Sequence, residues 1–164
     1  MSVSHSIHPE AARGLRRLQL VTWITGMVSA VAVGGVLALQ RDPLYVRAML
    51  EGHQFGLEDV SAADVAQAQT STLGVVAAVL GILALTAGLH VLIGRRVRAA
   101  RWIGLVSAVL GGLIAAFWTI DSGRMVGYGG VGPAVLAAVL AMMAACLAWC
   151  VVASLREQRE AFLG

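Results

Sequence analysis

Four long apolar runs organise the chain: Leu20 to Leu39, Leu73 to Ile93, Trp102 to Ile120, and Val131 to Ser154. Each is about the length a helix needs to cross roughly 30 Å of hydrocarbon. None alternates apolar and polar residues as a strand does, and a segment in lipid must satisfy its own backbone, so all four are predicted to be helices. The chain then reads as one membrane domain, 1–164, an all-α four-transmembrane-helix bundle. Its spans are expected at about 18–40, 62–94, 101–120 and 131–155, with an outer loop at 41–61 and an outer turn at 121–130. A secretory signal would also place basic residues ahead of an apolar core, but the first run is longer than such a core and no small-x-small cleavage site precedes Gln40 convincingly. A retained helix is expected.

The polar stretch between the first two runs carries readable punctuation. Asp42 followed by Pro43 starts a short helix, because the carboxylate accepts from an orphan amide and proline suits the first helical position. Gly52 is expected to end it. Val46, Met49 and Leu50 share one face and Arg47 and Glu51 stand four apart, so an amphipathic helix on the outer membrane surface is predicted. Ser61 with Asp64 forms a capping box, and Val60 with Val65 the matching hydrophobic staple. No glycine or proline intervenes before Gly74, so the second helix is expected to run unbroken from about residue 62 and to project on the order of 15 Å from the membrane. Such a projection offers a partner a surface or simply caps the bundle.

Within the spans, small residues recur at steps of three and four. The second helix presents Gly74, Ala77, Gly81, Ala84 and Gly88; the third Gly104, Ala108, Gly111 and Ala115; the fourth Ala134, Ala138, Ala141, Ala145 and Ala148. Apolar burial does not drive helices together in lipid, so close packing over such residues must contribute. Gly74, Gly81, Gly88, Gly104 and Gly111 are therefore the candidate helix-packing positions, most simply within the chain, alternatively in a dimer. The stretch from Gly94 to Arg101 is short enough to make the second and third helices an antiparallel hairpin.

Composition supports the membrane assignment. Hydrophobic residues make up 59% and charged ones 13%, about half the charge of an ordinary soluble domain, usually near 25%. The net charge of +3 does not indicate nucleic acid, because the arginines flank apolar runs instead of forming a basic face. The N-terminal segment, the 95–101 stretch and the C-terminal tail hold nine arginines against three acids, a net +6, while the opposite side sums to −3. That asymmetry predicts both termini in the cytoplasm of a multi-pass plasma-membrane protein. Trp23, Trp102 and Trp149 fall near the predicted inner boundary and Trp118, Tyr45 and Tyr128 near the outer one, as interfacial anchors should. All the basic residues are arginine, a coding bias that points to a GC-rich genome.

Candidate chemistry is sparse. Ionisable groups inside spans mark proton or ion paths, and only His90 and Asp121 come close; both stand as candidate functional residues, although His90 can snorkel to the arginine stretch and Asp121 lies where the third span ends. Haem between helices needs facing axial ligands, and His90 has no mate at its depth, while His5, His8 and His53 lie in polar segments. No catalytic, cofactor-binding or metal site is expected. Cys146 and Cys150, one turn apart near the reducing side, are expected to pack. Val126-Gly127-Tyr128-Gly129 resembles the core of a potassium-channel filter, but Met125 replaces the threonine and too few residues precede it for a pore helix.

Four spans of Ala, Gly, Val and Leu, the Val60-Ser61-Ala62-Ala63-Asp64-Val65 helix start and the Arg101-Trp102 close of the arginine turn resemble small actinobacterial four-span membrane proteins of unknown function. The resemblance is architectural, covers most of the chain and implies no activity. The expected role is non-enzymatic: association within the lipid bilayer with another membrane protein or with itself, as accessory subunit or homo-oligomer. The alternative is a transporter or holin-like pore lined by Ser29, Thr86, Ser107 and Thr119.

Overall fold

The computed structural model describes residues 9–53, 60–120, 122–127 and 131–155. Among them there is no strand; the elements are α1 (Pro9–Leu39), α2 (Pro43–His53), α3 (Ala62–Ala68), α4 (Thr72–Gly94), α5 (Arg98–Ile120), α6 (Ser122–Gly127) and α7 (Gly132–Ser154). Four stretches are long and apolar enough to cross a membrane: one within α1, the run Ala62–Gly94 whose apolar part is α4, then α5 and α7. The chain is thus an all-helical, multi-pass membrane protein.

The spanning helices do not pack in sequence order. α1 lies between α4 and α7, and α7 between α1 and α5, while α4 and α5 barely touch although only residues 95–97 join them. The core therefore follows the α1–α7 axis, with Leu18, Val36, Val139 and Trp149 buried along it. Thr25 donates to the carbonyl of Ala145 at 3.2 Å, a direct tie between these two helices. The hairpin expected of the second and third spans is present as a connection but not as a packed pair.

That connection has its own logic. α4 ends with Arg96 in the left-handed region, φ 55°, where the Val97 amide donates to Leu92 and the Arg96 amide to Ile93. This is the paired-bond helix ending that normally takes glycine at the left-handed position. The chain's glycine, Gly94, stands two residues earlier, inside the last turn of α4.

The second helix is not continuous, contrary to the expectation of one rod from residue 62. α3 stops at Ala68 and α4 restarts at Thr72, with Gln69 and Ser71 extended. The cause lies in α1's end: the Thr70 amide donates to Gln40 O at 3.1 Å and Gln69 Nε2 to Arg41 O at 2.7 Å, while Ser71 Oγ caps α4 by accepting from the Gly74 amide at 3.0 Å. Thr and Ser side chains favour such caps over helix interiors. The rod is therefore interrupted at 69–71.

α3 has its capping box, with Ser61 Oγ accepting from the Asp64 amide and the Asp64 carboxylate accepting from the Ser61 amide and hydroxyl. α2 begins with Asp42 accepting from the Leu44 amide at 2.8 Å and continues to His53, one residue past Gly52. Its Val46–Leu50 face meets Val60 and Val65 rather than lying open for the membrane. Arg47 and Glu51 pair at 2.8 Å in an exposed position, where such a contact adds little stability. α6, a single extra turn in the predicted outer turn, buries Met125 against the core.

Candidate functional site

Because α4 and α5 stand apart, a groove of about 470 Å3 opens between them, with α1 and α7 as its floor. Its mouth faces sideways, since the lining residues Leu85, Leu110 and Ile114 are also about half exposed, at 47%, 54% and 47%. The floor is built from a polar core contact. Trp149, only 2% exposed, donates its indole N–H to Thr22 Oγ at 2.9 Å, and Thr22 donates onward to Leu18 O at 2.8 Å. A buried indole N–H needs such a partner, and the Thr22 hydroxyl supplies it from the opposite helix.

Glycines set how closely the floor and walls approach. A Cβ on Gly26 would collide with the Thr86 side chain, and one on Gly104 with the Trp149 ring. Gly111 packs more loosely, its would-be Cβ 3.2 Å from Cys146 Sγ. Cys146 is buried in the core near the Ser29 hydroxyl. Both cysteines are free thiols.

Of the hydroxyls singled out in the sequence, Ser29, Thr86 and Ser107 line this one groove; Thr119 does not, and donates to Ala116 O at 2.6 Å. Thr86 is likewise turned to its own helix, donating to Ile82 O at 2.8 Å. The walls are left mostly apolar.

The small-residue stripes divide. On α5, Gly104, Ala108 and Ala115 are buried and Gly111 half-buried, facing α7. On α4, Ala77, Gly81, Ala84 and Gly88 are all exposed, and a Cβ at Gly81 or Gly88 would meet nothing within 4 Å. Gly74 is half-buried beside Ser71, in the cap. On α7, Ala138 and Ala145 are half-buried while Ala134, Ala141 and Ala148 face out. Same spacing, opposite environments: the α4 stripe is turned away from the bundle because Thr86, Leu89 and Ile93 occupy the opposite side, against it.

His90 lies outside the groove. Its ring tilts against Trp23 with centroids 5.7 Å apart, its carbonyl accepts from Gln19 Nε2 at 3.2 Å, and its Nδ1 is buried without a hydrogen-bond partner. Asp121 and Tyr128 lie outside the described residues. Among the described residues no three His, Cys, Asp or Glu side chains converge as metal ligands would.

Sequence reasoning did not single out Gly26, Thr22 or the role of Trp149. Gly26, Ala30 and Gly34 repeat the same four-residue rhythm on the first helix, so Gly26 was detectable; the Thr22–Trp149 bond, spanning 127 positions, was not. Compared with protein-family models, curated proteins and solved structures, the chain matches none.

Proposed function

We propose that this protein acts without catalysis, by associating through the outer face of α4 with another membrane protein or a second copy of itself. The observation that carries this reading is the uncovered stripe Ala77, Gly81, Ala84 and Gly88. Against lipid such a stripe exposes backbone for no packing return, whereas against another helix it permits close approach of the two backbones. A transport or pore role would draw on Ser29, Thr86 and Ser107, but their groove opens sideways between apolar walls, and the geometry favours association.

The orientation belongs to the same proposal: termini and the 95–101 turn in the cytoplasm of the plasma membrane, supported by the arginine asymmetry. A membrane-impermeant thiol reagent should label a cysteine placed at Gln67 from outside, and one placed at Arg98 only after lysis.

The test is crosslinking in native membranes through a cysteine at Gln67, comparing the parent with a Gly81→Leu, Gly88→Leu double variant. A recurrent crosslinked species that the leucines abolish, with helix content and monomer unfolding unchanged, is the expected result. Crosslinks that persist in the leucine variant, or none in the parent, would sink the α4 interface.

A further inference from the structure

The groove and the arginine turn belong to the same two helices. The lining runs from Ile82 to Leu89 on α4 and from Gly104 to Trp118 on α5. Leu89 precedes Arg95 by six residues and Gly104 follows Arg101 by three, so the lining starts only about 9 Å and about 5 Å along the two axes from the turn. The turn carries Arg95, Arg96, Arg98 and Arg101 with no acid among residues 94–101. Arg95 is exposed, and Arg101 is drawn over the α5–α7 end by its Nε donating to Ala153 O at 3.0 Å.

Size and chemistry narrow the occupant. From Gly104 to Trp118 the groove follows α5 for about 21 Å, against the roughly 15 Å of hydrocarbon that one leaflet contributes. The groove is therefore long enough to receive one acyl chain laid along α5. Thr22, Thr86 and Trp149 spend their donors within the protein, which leaves walls suited to an apolar chain. At the end nearer the turn, guanidinium groups match phosphate oxygens in geometry and charge, and basic clusters at helix ends are recurrent headgroup sites.

We infer that this feature binds one anionic phospholipid, with its phosphate on the Arg95–Arg101 turn and one acyl chain in the α4–α5 groove. The site is separate from the outward stripe of α4 and does not depend on association.

Native mass spectrometry of the full chain in mild detergent tests it, titrating phosphatidylglycerol and phosphatidylcholine of equal chain length. Phosphatidylglycerol should form a one-to-one adduct, and an Arg95→Gln, Arg96→Asn variant should weaken it by about an order of magnitude. Asparagine is chosen because it accepts the left-handed backbone at position 96. Ser107→Leu, which fills the groove, should lower retention of both lipids; Ile114→Trp, at the exposed mouth, repeats the test where a leucine at 107 unfolds the protein. Equal binding of the two lipids by the parent, or undiminished phosphatidylglycerol in a groove-filled variant of native helix content, would overturn the site. The second result would mean a surface charge contact only.

Discussion

The benzo ring of Trp149 lies where any residue other than glycine at position 104 would place its Cβ. The same indole donates to Thr22, so one side chain joins α7 to α5 by contact and to α1 by a hydrogen bond. This is the point at which three of the four spanning helices are held in register.

Gly104→Val should therefore be costly. The added carbons meet a ring that is fully enclosed, and overpacking of that kind costs about 1–3 kcal/mol. Thermal unfolding in detergent should show a clear loss for Gly104→Val and almost none for Gly81→Val, where no atom lies within 4 Å. Similar losses at both positions would contradict the packing described.

Gly26 and Thr86 make a second such pair, between α1 and α4. Gly26→Ala alone collides with the threonine side chain, whereas Thr86→Ala removes its two nearest atoms, Oγ1 and Cγ2, and leaves only the Cβ at 2.8 Å. A double-mutant cycle should therefore give a non-additive recovery, with a coupling in the range of about 0.5–3 kcal/mol found for residues in contact. Additive losses would mean that the two helices sit farther apart.

Arg96→Gly should stabilise the protein. Its backbone is left-handed, φ 55°, a conformation that costs a residue with a Cβ about 1–2 kcal/mol, partly offset by the greater freedom of glycine when unfolded. A modest rise in melting temperature is expected, and a fall would indicate that the arginine side chain contributes more than its backbone strain costs.

The capping box of α3 gives a pH dependence. Bonds from the Ser61 hydroxyl and amide hold the Asp64 carboxyl below its usual value of 3.8. With the folded value depressed, the contribution of the cap is complete above the unfolded value and disappears as pH falls through the folded one. Amide-exchange protection of α3, corrected for intrinsic rates, should drop in that acidic window while α7 stays protected, and Asp64→Asn should lose the dependence. An unchanged profile in the asparagine variant would remove Asp64 as the cause.

Much of the architecture follows from local chemistry that the sequence displays. Apolar length alone defines four spanning stretches, because in lipid only a helix satisfies its own backbone over such a run. The Asp42 and Ser61 caps are equally local, needing only a side chain within three residues of an orphan amide. What spacing does not carry is the rotation of each helix about its axis. Gly81 and Gly111 belong to stripes of the same rhythm, yet one faces out and the other faces Cys146. Helix order, the groove and the break at 69–71 have the same origin: contacts between residues far apart in the chain, such as Gly26 with Thr86, Thr22 with Trp149 and Gln40 with Thr70. The sequence by itself determined the helices, their caps and their number of crossings; the tertiary structure alone decided which smooth faces were covered and where α4 and α5 parted, because that choice depends on steric fit between helices and not on any pattern within one.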